Sequence, residues 1–145
     1  MEEEKEKEVI NIEDFFTEQH EEEGVWYEPR IKGVLCGFEF LITGTGTDKN
    51  VAETEYYQKL LADLEKEKDP IEKAKKKKVL EANRTAQFVK GFRASGGKQI
   101  MYKGKPLDYS VPFLQEFLKE SPLIRDEIIR FAVDTANFIK REKKD

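Results

Sequence analysis

Residues 38–50, FEFLITGTGTDKN, carry the change of period on which the fold turns. Phe38, Phe40 and Ile42 alternate with Glu39 and Leu41, the pattern of a half-buried strand. Gly44-Thr45-Gly46-Thr47 interrupts that pattern, and from Val51 the apolar residues recur every three or four positions. Strand, glycine loop and helix in that order is also the layout of a phosphate cradle. A Walker loop, however, needs four residues between its first glycine and a Gly-Lys-Ser/Thr end, and none follows Gly44 or Gly46. A dinucleotide fingerprint needs a third glycine where Lys49 stands. The residues therefore predict a turn, with Thr47 or Asp48 capping the helix beyond it.

Upstream of this stretch, VWYEP and IKGVLC read as short strands. Pro29 suits an edge, where a missing donor is tolerated, and Gly33 and Gly37 suit turns or bulges. Downstream, Thr54, Tyr57, Leu61 and Leu64 form one face of an amphipathic helix that stops at Asp69-Pro70. Pro70 opens a second helix, which carries Val79, Ala82, Ala86 and Val89 on one face and is expected to run to Gly91. The two make an antiparallel helical hairpin with a charged tip. Gly96-Gly97 and Lys103-Gly104 read as turns around a possible strand, QIMYK. Ser110 caps VPFLQEFLKE, and Ser121-Pro122 starts a last helix expected to reach Lys140. Ile124, Ile128, Phe131, Thr135 and Phe138 form its apolar stripe.

The fold class is α+β: a small antiparallel N-terminal sheet, then a mainly helical part with a charged hairpin and a long C-terminal helix. Residues 24–140 make a single domain, which suits a chain of 145 residues. Residues 1–23 read as a disordered acidic arm, because most of them are charged and little apolar mass is there to bury. Ile12, Phe15 and Phe16 are the exception, a short apolar turn either docked on the domain or waiting for a partner. Residues 141–145 read as a frayed basic tail.

Composition narrows the function. The net charge of −4 argues against a protein that works by neutralising phosphates, so no nucleic-acid partner is expected. Lys75–Lys78 lie between acidic helical turns and read as a solvated helix face. No window approaches the roughly 18 apolar residues of a membrane span. Cys36 is the single cysteine and His20 the single histidine, and His20 sits in an acidic run with no group to orient it. Neither a thiolate zinc site nor a Cys-His nucleophile follows from them. No catalytic residue, metal site or cofactor is expected. The remaining signal is aromatic: Phe113, Phe117, Ile128, Phe131 and Phe138, on two helices, are candidates for core and, where left uncovered, for a partner surface.

Three stretches in this order resemble a known family. They are GVWYEPRIKGVLCGFEFLITGTGTD, then FVKGFRASGGKQIMYKGKPLDYS, then VPFLQEFLKESPLIRDEIIRFAVDTANFIK, together spanning about residues 24–140. The arrangement resembles the tail assembly chaperones of long-tailed bacteriophages, with Gly91-Phe92 standing where the family carries a tryptophan-glycine pair. The resemblance implies a non-enzymatic protein of the host cytoplasm. It implies binding to the tape-measure protein, a long helical chain, and hand-over to tail tube subunits. A homo-oligomer is compatible with it. Two other readings stay open: a permanent structural subunit of a phage tail or neck, and a nucleotide binder using the Gly-Thr-Gly-Thr loop.

Overall fold

The structure, a computed structural model, describes residues 8–139. A 3-10 turn at Ile12–Phe15 leads into helix α1 (Glu18–Glu23). Strands β1 (Val25–Tyr27), β2 (Arg30–Ile31), β3 (Val34–Leu35) and β4 (Phe38–Ile42) follow. Helices α2 (Asp48–Leu64) and α3 (Pro70–Gln87) form the hairpin, and strand β5 (Val89–Ala94) returns from it. The short pair β6 (Met101–Tyr102) and β7 (Lys105–Pro106) precedes α4 (Val111–Glu120) and α5 (Pro122–Val133). A second 3-10 turn, Thr135–Phe138, ends the described chain.

β4 is the centre of a three-stranded antiparallel sheet ordered β1-β4-β5. Its alternation sends Phe40 and Ile42 into the core, where neither has measurable exposure. Ala82 and Phe88 from the end of the hairpin, Leu114 and Leu118 of α4, and Ile124, Ile128 and Ala132 of α5 meet them there. Three helices thus cover one face of the sheet. On the other face the Arg93 guanidinium lies 3.8 Å from the centre of the Trp26 ring, a cation–π contact. Two further two-residue ladders, β2-β3 and β6-β7, turn at Lys32-Gly33 and Lys103-Gly104. Both residues of each turn have positive φ, the geometry that matches the twist of a tight hairpin.

The α+β class and the helical hairpin stand as expected, and several boundaries are corrected. The second hairpin helix stops at Gln87 and not at Gly91. Val89 to Ala94 pair with β4 instead, so the sheet is completed from beyond the hairpin. Val79 is 42 % exposed, while Ala82 and Thr85 turn inward. The last helix ends at Val133, where the Asp134 side chain accepts a hydrogen bond from the Ala136 N–H and opens the 3-10 turn.

The acidic segment before Val25 also departs from expectation, since Glu18–Glu23 is helical and Glu21 is buried. Its helix is held by the glycine loop, a contact that composition alone does not contain. The parts of the arm and tail at 1–7 and 140–145 lie outside the described residues.

Candidate functional site

The glycine loop is already filled. The Glu21 side chain lies under it, and the Gly46 N–H points at Glu21 Oε1 across 3.4 Å. The Gly44 N–H donates to the Glu21 carbonyl at 3.0 Å, and Thr17 Oγ1 donates to the Glu21 carboxylate at 3.2 Å. A Cβ at Gly44 would collide with Cγ of Glu21. The chain's own carboxylate thus takes the anion position that a phosphate would need. Thr47 is the cap, accepting from the Asn50 N–H at 3.1 Å. Asn50, fully buried, donates to Thr43 Oγ1 at 2.9 Å and to the Gly44 carbonyl at 2.7 Å, which ties loop to helix.

A crevice between the hairpin and α5 contains Arg84, Arg125 and Arg130. Two of its three cations are paired with carboxylates. Arg125 donates to the Leu118 carbonyl at 2.9 Å and the Lys119 carbonyl at 3.2 Å, closing the end of α4. The same guanidinium pairs with Glu81 at 3.5 Å. Arg84 lies over the Tyr57 ring at 4.8 Å, and Arg130 donates to Glu127 at 3.1 Å. The crevice joins the hairpin to α5, with Glu81 and Glu127 offsetting two of its three charges and the buried Arg84 Nε left without a hydrogen-bond partner.

Another concavity is apolar. A groove of about 440 Å³ lies between α4 and the β6–β7 pair, over Phe38, Phe113 and Phe117. Each ring supports the next: Phe38 and Phe117 meet edge to face with centres 5.6 Å apart, as do Phe113 and Phe117. Tyr102 closes one side against Phe113 at 5.0 Å, and Met101, 55 % exposed, stands on the lip. The rim is acidic, with Glu116 and Glu120 on consecutive turns of α4. Lys103 reaches Glu116 at 3.6 Å. The Tyr102 hydroxyl is shielded from solvent and lies close to Glu116 without a hydrogen bond of ordinary geometry. The contact still matters electrostatically. The carboxylate raises the Tyr102 phenol, and Tyr102, ahead of Lys103, holds Glu116 below the usual carboxylate range.

The five aromatic and aliphatic candidates divide between two places. Phe113 and Phe117 meet in the groove, Phe113 buried and Phe117 half-buried on its floor. Ile128 and Phe138 are core residues with at most 1 % exposure, so neither is presented to a partner. Phe131 is half-buried and stacks on Tyr27 with ring centres 4.4 Å apart. Tyr27 in turn donates to Glu127 at 2.6 Å, joining the sheet to α5. Burial first, then that carboxylate, push the Tyr27 phenol up to about 12. The residues that complete the groove, Phe38, Met101, Tyr102, Glu116 and Glu120, carry no shared sequence signal. The readable clue is the Lys103-Gly104 turn, which folds Met101 and Tyr102 back beside α4.

Among the described residues no group of three or more acidic, histidine or cysteine side chains is placed to hold a metal ion. Nor is any helix there long and apolar enough to cross a membrane. Cys36 is part-buried, and burial raises its thiol above the ordinary value, the opposite of an activated nucleophile. The fold is an α+β domain with an open aromatic recess beside α4. Set against protein-family models, curated proteins and solved structures, the chain matches none of them.

Proposed function

We propose that this chain is a non-enzymatic chaperone of phage tail assembly, which shields apolar stripes of the tape-measure protein and then yields them to tail tube subunits. The observation that carries the reading is the aromatic groove with its acidic rim. A helix laid there buries one or two apolar side chains over Phe38 and Phe117 and sets lysines or arginines against Glu116 and Glu120. The open lip leaves such a helix partly in solvent, as a holding role followed by release requires. The resemblance of residues 24–140 to the tail assembly chaperones supplies the identity of the client.

The test is a titration of the purified chain with helical fragments of the tape-measure protein from the same phage. Saturable binding is expected. Met101→Asp and the pair Glu116→Lys with Glu120→Lys should weaken it by roughly tenfold or more without unfolding the domain, because all three side chains stand at the lip. Equal binding by those variants, or none by the wild type, refutes the reading. Presence of the protein in finished particles would favour the permanent-subunit alternative.

A further inference from the structure

The β6–β7 hairpin stands between two crevices. On one side is the aromatic groove beside α4, about 440 Å³. On the other, a crevice of about 280 Å³ separates the hairpin from β5, with Phe92 and Ala94 on the strand side and Pro106 and Leu107 on the hairpin side. Ile100 lines both. The rings beneath run on from one crevice to the other. Phe92 lies 5.5 Å from Phe38 and 5.8 Å from Phe113, and Phe113 lies 5.6 Å from Phe117, all between ring centres. The hairpin thus divides a floor of four phenylalanines in two.

Little holds it there. Among the described residues, the hydrogen bonds of residues 99–107 stay within that segment: the β6–β7 pair, and the Leu107 N–H to the Ile100 carbonyl at 2.9 Å. The hairpin is attached through side chains instead. Tyr102 stands edge-on to Phe113 at 5.0 Å, Lys103 pairs with Glu116 at 3.6 Å, and Ile100 and Leu107 are half-buried. Both members of that ion pair are at least half exposed, so water weakens it. Tyr102 carries a cost of its own. Its hydroxyl is shielded without a hydrogen-bond partner, and lifting the hairpin would hydrate it. The chain is fixed again on either side: the Ser95 N–H donates to the Gly37 carbonyl at 2.9 Å, and Ser110 caps α4. Gly96 and Gly97 form the joint after Ser95, both at positive φ with open space where a Cβ would stand. Few buried contacts and no backbone bonds to neighbours mark a segment that opens locally while the fold stays intact.

We propose that the β6–β7 hairpin is a flap, which swings off the rings about the Gly96-Gly97 joint and merges the two crevices into one trough for a client helix. The occupant rests on the chaperone reading; the motion rests on the hairpin's own contacts. A helix with its side chains is about 10–12 Å across, so two turns fill about 1,000 Å³. The groove beside α4 is less than half that size and accepts the side chains of one face. The merged trough seats the helix more deeply, on Phe92 and Phe113 as well as Phe38 and Phe117.

Two experiments on the full chain carrying Cys36→Ser test it. Spin labels at Lys105→Cys and Val133→Cys, both exposed and outside the two crevices, report the separation of hairpin and α5 by pulsed electron resonance. The free chain is expected to show two separations, and a helical fragment of the tape-measure protein to raise the share of the longer one. A single separation, the same with and without the fragment, overturns the proposal. In a second chain, Lys103→Cys and Glu116→Cys joined by a short bismaleimide hold the flap down. That chain should bind the fragment roughly tenfold more weakly than the same chain with both cysteines capped by N-ethylmaleimide. Equal binding by the two overturns the proposal. If no fragment binds and the free chain still shows two separations, the chaperone reading fails while the flap stands.

Discussion

Gly44→Ala isolates the contact that closes the glycine loop. Neither Gly44 nor Gly46 has positive φ, so alanine meets no backbone strain at either position, and the cost must come from contacts. At Gly44 the new methyl overlaps the Glu21 side chain, and the Glu21 Cβ itself is only 2.7 Å away. Swinging the carboxylate aside does not remove that second clash, so α1 must shift. The shift stretches the 3.0 Å bond from the Gly44 N–H and abandons the weaker ones at 3.2 and 3.4 Å. Three bonds at about 0.5–1.5 kcal/mol each, two of them long, amount to about 2 kcal/mol. With an unfolding entropy near 2.1 cal/mol/K per residue, the chain loses about 7 °C of melting temperature.

At Gly46 a methyl meets only the mobile end of Glu21, at 3.1 Å, and the loss should stay below about 1 kcal/mol. Thermal unfolding followed by circular dichroism measures both. The decisive comparison is Gly44→Ala in a Glu21→Gly background, where the clash has no partner and the alanine should cost little. An unchanged penalty there, or equal penalties at the two glycines, would refute the reasoning.

Phe138→Ala should destabilise by about 3–5 kcal/mol in denaturant unfolding, because the ring is 1 % exposed; Phe117→Ala should cost less and act on the groove. Tyr27 gives a pH signature. Its phenol rises from 10.0 to about 12 on folding, so the folded state holds the proton more tightly. The stability this adds is complete below pH 10 and is lost as pH climbs toward 12, and Tyr27→Phe should remove about 1–2 kcal/mol of that alkaline loss after allowance for partial exposure. ATP or GTP with magnesium should leave the melting temperature unchanged, because Glu21 occupies the loop; a saturable rise would show that the carboxylate can be displaced.

Local signals were legible wherever one residue does one job. Thr47 and Ser110 cap their helices through side-chain oxygens, Pro70 and Pro122 open helices, and both Lys-Gly turns fold back hairpins. Phe40 and Ile42 were readable as inward residues from period alone. Strand β5 was hidden because Ala82, Ala86 and Val89 continue a helical spacing across its start. Its state is decided by partners on β4 that are distant in sequence, Phe40 opposite Phe92 and Leu41 opposite Gly91. Glu21 was hidden for the same reason: an acidic run reads as solvated until a loop elsewhere offers N–H groups to one member. The candidate site was half legible, since α4 shows Phe113 and Phe117 by spacing, while the opposite wall depends on where the β6–β7 pair lands.

The position of β5 has a bearing on the order in which the molecule assembles. Thr43 and Phe88 are 45 residues apart in sequence, yet the Phe88 carbonyl accepts from the Thr43 N–H at 2.7 Å and from its hydroxyl at 3.1 Å. Closing a structureless loop of that length costs roughly 3 kcal/mol in chain entropy. The intervening residues are two helices that pack on each other, so each turn formed brings Phe88 nearer to Thr43. A hairpin that forms first draws its two ends together and makes a long-range strand pair kinetically short. Substitutions inside the α2–α3 contact, such as Leu64→Ala, should therefore slow folding, whereas those in α5 should chiefly speed unfolding.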